Sequence, residues 1–225
     1  MLSEVRRHCS PRTTEREAGS RGVARGSRRY LVGKRVFELA VCILLLPIVV
    51  PVLLLCALAI VLGSPGPILI GQERTGRDGV PFRMYKFRSM VRDAEERKAE
   101  LAHLNILAPP DFKILDDPRI TGVGSFLRKT SLDELPQLFN VIRGEMSLVG
   151  PRPTSFAPST YSLWHTYRLE VTPGVTGLWQ VKGRNRTSFD ERLRLDIEYI
   201  RHRSFALDLK ILLLTLPAML RRSGA

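Results

Sequence analysis

The sequence predicts an α+β membrane protein in which an N-terminal re-entrant membrane helix hairpin precedes a small β-hairpin and a mostly helical cytoplasmic domain with interfacial amphipathic helices. Three observations predict this class. An apolar run at residues 36–62 lacks Lys and Arg and contains two prolines. Two strand-like segments flank a turn-rich loop at residues 75–79. Beyond them, apolar residues recur at helical spacing with charged residues opposite.

The apolar run is long enough to enter a membrane. It reads VFELAVCILLLPIVVPVLLLCALAIVL, and a straight helix of that length would measure ~40 Å against a hydrocarbon core of ~30 Å. A signal-peptide core has only ~7–15 apolar residues. Pro47 and Pro51 each remove a backbone donor, so a bend is expected within the run.

Basic residues on both sides of this run favour a hairpin. Residues 1–35 carry ten Lys and Arg against three acidic residues, and residues 74–92 carry six Lys and Arg. A spanning helix concentrates its basic excess on the cytoplasmic side, whereas a helix that bends and returns keeps both flanks there. The alternative is an ordinary kinked span. Lys34 is expected to neutralise Glu38 one turn away.

The composition divides the chain into three segments. We predict a disordered basic tail at residues 1–30, the re-entrant membrane helix at 31–63 and a cytoplasmic domain at 64–225. The tail suits contact with anionic lipid headgroups. With 44% hydrophobic and 25% charged residues, the chain is neither wholly disordered nor collagenous. Its three cysteines lack zinc-ligand spacing, which indicates a reducing compartment.

Local patterns place the elements of the third segment. Strands are predicted at 68–74 and 80–87, and helices at 91–107, 132–143, 188–203 and 205–220. The last helix is apolar, but Asp208 and Lys210 make it a poor membrane span. It is expected either in the core or in the membrane interface.

Two adjacent carboxylates, Asp133 and Glu134, begin the predicted helix at 132–143. Ser131 and Glu134 have capping-box spacing, so one interpretation is a helix N-terminus without chemistry. In the other, the helix dipole favours an ionised Asp133 that attacks phosphorus, while Glu134 holds a hard divalent cation. The residues alone leave both interpretations open.

Five basic residues are candidates for phosphate binding, and rigid backbone at Arg152 and Arg184 could orient a guanidinium toward a phosphate. They are Lys86, Arg88, Arg128, Arg152 between two prolines, and Arg184 after a glycine. Each could equally be a solvated surface residue. The segment 172–180 contains Trp179, which could stack a base or a sugar or lie in the core.

Six ordered motifs together resemble the bacterial sugar transferase family, the monotopic polyprenol-phosphate phosphoglycosyl transferases. The motifs are KR at 34–35, SPGP at 64–67, KFRSM at 86–90, SLDELPQLFN at 131–140, GPRP at 150–153 and PGVTGLWQV at 173–181. The resemblance covers residues 33–223. It implies transfer of a sugar-1-phosphate from a UDP-sugar to undecaprenyl phosphate, with release of UMP, as the first membrane step of a glycoconjugate or exopolysaccharide pathway.

The resemblance also implies roles for the candidate residues. Asp133 would be the nucleophile that forms a covalent aspartyl phosphosugar, and Glu134 would associate with Mg²⁺ or Mn²⁺. Arg88, Arg128 and Arg152 would bind phosphate, and Lys86 and Arg184 match less closely. The family's membrane element is a re-entrant helix broken at a proline, and either Pro47 or Pro51 could make the break. The implied location is the cytoplasmic face of the bacterial inner membrane, in contact with lipid.

Two other functions fit parts of the sequence. The net charge of +13 would permit a membrane-anchored nucleic-acid-binding protein. However, the charge of residues 63–225 is mixed and no aromatic-interleaved RNA motif occurs there, so no nucleic-acid partner is expected. A glycosyltransferase that moves sugar without phosphate would release UDP instead of UMP.

Overall fold

The computed structural model describes residues 27–106, 112–154, 163–182 and 188–220. The predicted tail therefore lies almost wholly outside the described residues. The first element, α1 (Arg28–Gly63), is one helix of 36 residues that runs through Pro47 and Pro51. Within the described ranges it is the one helix long and apolar enough to cross a bilayer. This confirms the long apolar N-terminal helix.

Both ends of α1 pack against the same domain, and its middle does not. Glu38 and Cys42 are buried at one end, and Cys56 and Ile60 at the other. Between them the apolar side chains are largely exposed; Leu44 retains 78% of its accessible surface. Lys34 lies 3.2 Å from Glu38, as the sequence predicts.

The predicted β-hairpin follows α1. Strands β1 (Leu69–Thr75) and β2 (Pro81–Phe87) pair antiparallel, with Leu69 opposite Phe87. The loop contains a 3₁₀ turn, Arg77–Gly79, in which both Asp78 and Gly79 have positive φ. Asp tolerates this conformation better than most residues, and Gly adopts it freely. The hairpin is therefore confirmed.

A second sheet was not predicted. Strands β3 (Ser147–Val149) and β4 (Gly174–Thr176) pair in parallel, and each has only three residues. Glycine allows their backbones to meet, because a Cβ on Gly174 would lie 2.1 Å from the Gly150 nitrogen. Runs this short carry no period-2 pattern, so the sequence does not reveal them.

The helices agree in part with the predictions. They are α2 (Arg97–Glu100), α3 (Gly122–Thr130), α4 (Gln137–Arg143), α5 (Leu178–Lys182), α6 (Phe189–His202) and α7 (Phe205–Leu220). The last two are confirmed, and Ser188 and Glu191 form a capping box that begins α6. Helix α3 and helix α5 were not predicted.

The helix predicted at 91–107 is wrong over its first half. Only α2 and a 3₁₀ turn at Ala102–Leu104 form, and residue 107 lies outside the described part of the chain. The cause is Arg119, whose carbonyl accepts from the Val91 N–H at 2.8 Å and whose guanidinium donates to the Ala94 carbonyl at 3.0 Å. The second bond uses the Ala94 carbonyl, which in a helix would accept from the Lys98 N–H.

A buried polar cluster joins the last helix to the first and accounts for the charge on α7. Asp208 is 3% exposed and lies 2.8 Å from the Lys34 ammonium. Tyr30 and Tyr199 donate to the same carboxylate at 2.8 and 2.7 Å. Leucines on the opposite side of α7, including Leu213 and Leu216, are exposed. One side of α7 therefore packs against the core, and the other side is an exposed apolar surface.

Candidate active site

The two adjacent carboxylates lie in a tight turn between α3 and α4. Ser131 ends α3 with a left-handed backbone, φ 57°, and the 3₁₀ turn Leu132–Glu134 follows at once. Ser131 makes no side-chain capping bond to this turn, so the predicted capping box does not form. The α-helix begins only after Pro136, which cannot donate a backbone hydrogen bond. The helix N-terminus predicted at residue 132 is thus a 3₁₀ turn.

Glu134 is fixed by two cations from distant parts of the chain. Lys86, on β2, donates to Oε1 at 3.0 Å. Arg152, in the Gly-Pro-Arg-Pro loop, donates from Nη1 to Oε2 at 3.0 Å and from Nη2 to Oε1. Burial alone would raise the pKa of Glu134, but Arg152 and Lys86 outweigh it and hold the pKa below its ordinary value. Glu134 is therefore a constitutive carboxylate.

Asp133 has the opposite environment. It is half-buried, and among the described contacts it makes no hydrogen bond and no ion pair. Burial raises its pKa above the ordinary aspartate value, and the nearby charge of Lys86 only partly offsets this. Glu134 adds to the rise, whereas Arg128 and Arg152 oppose it. Its oxygens are available to an incoming ligand.

Arg128 approaches Asp133 from α3. Its Nε donates to the Ser89 hydroxyl at 2.8 Å, which fixes the guanidinium beside the turn. Burial lowers the pKa of Arg128, and the negative charge of Asp133 works against that shift. Helix α3 can come this close because residue 124 is glycine; a Cβ there would lie 1.9 Å from the Ser89 carbonyl oxygen.

Of the seven predicted site residues, Arg88 is described and is not brought into this group. Arg88 is 4% exposed, and its guanidinium donates to the carbonyls of Ser64, at 2.7 Å, and Pro65. It therefore ties the end of α1 to β2. Arg184 lies outside the described residues. The roles predicted for both stay predictions.

A cavity that the sequence did not predict adjoins Arg152. Its walls include Arg74, Arg168, Arg192, Trp179 and Phe189. The Arg192 guanidinium carbon lies 5.6 Å from the centre of the Trp179 ring and 5.7 Å from that of Phe189. Trp179 thus lines a basic cavity. In the sequence, only Trp179 in segment 172–180 pointed to this cavity. Its four arginines come from separate elements: Arg74, Arg152, Arg168 and Arg192.

The sequence profile of the bacterial sugar transferase family matches residues 29–222. The chain belongs to the bacterial sugar transferase family. The match includes the long apolar helix α1 from its second residue, the paired carboxylates and every later element of the described residues.

Several named sugar transferases are similar to this chain. It is 45% identical over 208 residues to the undecaprenyl-phosphate galactose phosphotransferase of Salmonella typhimurium, covering 90% of this chain and 43% of that protein. It is 42% identical over 191 residues to the UDP-glucose:undecaprenyl-phosphate glucose-1-phosphate transferase of Escherichia coli, covering 81% and 39%. The exopolysaccharide production protein ExoY of Sinorhizobium fredii is 40% identical over 199 residues, covering 86% and 88%. The chain thus spans less than half of two of these relatives.

The carboxylates of this sugar transferase fit a metal ion only if the substrate supplies most of the ligands. No group of three or more His, Cys, Asp or Glu side chains among the described residues could hold a metal. Glu134 Oε1 already accepts from both cations, whereas Oε2 accepts from Arg152 alone among the described contacts. A carboxylate oxygen has two lone pairs, so Oε2 keeps one. Mg²⁺ commonly uses one or two carboxylates together with substrate phosphates and water.

Proposed function

We propose that this bacterial sugar transferase moves a sugar-1-phosphate from a UDP-sugar to undecaprenyl phosphate and releases UMP. One observation carries the proposal: Asp133 makes no hydrogen bond or ion pair among the described residues, and it lies beside Glu134, which two cations hold, and near the charges of Lys86, Arg128 and Arg152. That arrangement suits attack on a phosphate group. The names of the similar proteins support transfer of a sugar phosphate. They include both galactose and glucose, so a hexose-1-phosphate is the class proposed.

The proposed reaction has two displacements at one phosphorus atom. Asp133 attacks the phosphorus that carries the sugar, an oxygen–phosphorus bond forms, and the bond to the bridging oxygen breaks as UMP leaves with its electron pair. An oxygen of undecaprenyl phosphate then attacks the same phosphorus, and the Asp133 carboxylate is released. Burial supports the first step, because it raises the pKa of Asp133 and makes its oxygen more basic.

The three cations would offset the negative charge that accumulates during both steps. The charge of Arg128 acts on Asp133, while Lys86 and Arg152 are fixed by Glu134. Fixed cations in a site that excludes water need no reorganisation during the reaction. Glu134 thus has a second role in this proposal, because it positions the two cations.

Mg²⁺ or Mn²⁺ is the proposed cofactor. Glu134, through Oε2, would hold the ion together with phosphate oxygens of the donor. The ion would reduce the negative charge of the diphosphate and make the phosphorus easier to attack.

The cavity beside Arg152 is the proposed place for the nucleotide. Arg74 and Arg192 would contact the phosphate that leaves as UMP, and the Trp179 ring would offer its face to the base. Arginine suits such a site because its planar guanidinium binds phosphate and stacks on aromatic rings.

The membrane element is proposed to be a re-entrant helix with the active site on the cytoplasmic face of the inner membrane. The packing of α1 supports this, because its two ends contact one domain while its apolar middle is exposed. A helix that crossed the bilayer would carry one end away from that domain. The lipid tail of the acceptor stays in the bilayer, so a site at the interface can reach its phosphate.

The test uses the full chain in lipid nanodiscs with undecaprenyl phosphate. UDP-glucose and UDP-galactose are supplied in turn, with Mg²⁺ and with a chelator, and released nucleotides are separated. We expect UMP with at least one donor and none in chelator. UDP as the product would show sugar transfer without phosphate, and UMP release that persists in chelator would remove the metal from the proposal.

A further inference from the structure

Arg152 is held at its backbone by a second arginine. Arg168, in the 3₁₀ segment Leu163–Glu170, donates from Nη2 to the Arg152 carbonyl oxygen. Arg168 is 5% exposed, and Nη2 also lies 2.8 Å from Oδ2 of Asp196 on α6. A continuous chain of polar contacts therefore runs from Asp196 through Arg168 and Arg152 to Glu134.

The contacted carbonyl belongs to a backbone segment with few conformations. Pro151 has a fixed φ angle, and Pro153 restricts the preceding Arg152 to extended backbone. Arg168 holds that carbonyl. The backbone of Arg152 thus has little freedom, and its guanidinium donates to both oxygens of Glu134.

Stability alone does not account well for the Arg168–Asp196 pair. Asp196 is 1% exposed, and burial raises its pKa to about 7 even though Arg168 favours the charged form. Buried ion pairs seldom stabilise a fold more than apolar residues of the same size would. The Arg168–Asp196 pair is costly to bury, and Arg168 contacts the site residue Arg152. A role in positioning Arg152 explains such a pair better than stability does.

We propose that Arg168 and Asp196 are positioning residues that orient Arg152 toward Glu134 and the donor phosphate. This rests on the function proposed above, but its structural part can be measured without activity. A positioning residue affects turnover through its partner, so its loss costs little once the partner has already been disabled.

The chain offers a matched control pair that does not contact the Gly-Pro-Arg-Pro loop. Arg119 is 4% exposed and lies 2.7 Å from Asp117, so it is buried and ion-paired like Arg168. Its other side-chain hydrogen bond goes to the Ala94 carbonyl, not to the Gly-Pro-Arg-Pro loop. Arg119→Met should destabilise the protein about as much as Arg168→Met.

The first measurement is a double-mutant cycle in unfolding free energy between positions 168 and 134, which do not touch. We expect Arg168→Met and Glu134→Gln together to destabilise less than the sum of the two single changes. Arg119→Met with Glu134→Gln should be additive. Additive behaviour of the Arg168 pair would overturn the proposal, whatever the enzyme's activity.

The second measurement is kinetic. Arg168→Met should lower kcat about 10–100-fold with little change in the donor KM, the loss typical of a misplaced site group. Arg168→Lys, which can still donate to the carbonyl, should recover most of the loss. Equal kcat loss in Arg119→Met and Arg168→Met would reduce Arg168 to a structural residue. An inactive wild-type enzyme would instead count against the proposed function, and the stability cycle would still decide the positioning role.

Discussion

Arg152 donates hydrogen bonds to both carboxylate oxygens of Glu134, and Lys86 donates to one of the same oxygens. The neighbouring Asp133 carboxylate takes part in no such pair among the described contacts. In the proposed reaction these adjacent residues have divided roles: Glu134 holds the cations, and Asp133 is left to react. The predictions below separate these roles.

Glu134→Gln should destabilise the protein and lower activity. The amide cannot neutralise Lys86 and Arg152, which are largely buried in this site. Leaving such charges unpaired costs ~1–3 kcal/mol of unfolding free energy. Thermal unfolding and UMP release measure the two effects. Glu198→Gln is the control, because Glu198 pairs with Lys182 on the surface and exposed pairs contribute little. Equal losses in both variants would contradict the assigned role.

Asp133→Asn should abolish turnover and leave the protein at least as stable as the wild type at neutral pH. The folded-state pKa of Asp133 is raised, so its ionised form costs stability. That cost is absent below the unfolded-state pKa and grows as pH rises through the folded-state pKa. Unfolding midpoints at about pH 4 and pH 7.5 should therefore show a larger gain from Asn at the higher pH. A lower midpoint at pH 7.5 would contradict this.

Activity should fall on the acid side as Asp133 takes up a proton and can no longer attack. Because its pKa is raised, the acid limb of the kcat/KM profile should lie above the ordinary aspartate value. Lys86 lowers the pKa of Asp133, so Lys86→Met should move this limb to higher pH. An unmoved limb in Lys86→Met would mean that another group sets the profile.

Both flanks of α1 should be cytoplasmic. We propose single cysteines in place of Ser20, Ile48 and Val80 in a background without native cysteines. A membrane-impermeant maleimide should label neither flank on intact cells and both flanks in inverted vesicles. Ile48→Cys, in the exposed apolar middle of α1, should label poorly in both. Labelling of one flank alone on intact cells would restore a spanning helix.

The sequence predicted the parts of the fold that have long local patterns. The apolar helix, the β-hairpin and the last two helices each have a period or a turn signal of their own. The paired carboxylates were found as a motif, but their environment was not. Lys86 lies 48 residues before Glu134 and Arg152 lies 18 after it, so only tertiary structure brings them together. Arg168 and Asp196 could not be predicted for the same reason, because no local sequence pattern marks them.

Covalent capture on Asp133 tests the central claim most directly. The full chain in nanodiscs is incubated with sugar-labelled donor and without acceptor, and the protein is then digested for mass spectrometry. We predict one adduct of a hexose phosphate on Asp133, with about one UMP released per site, and discharge of the adduct when undecaprenyl phosphate is added. Asp133→Asn should carry no label. Label on the Asn variant, or release of UMP only when both substrates are present, would contradict the account.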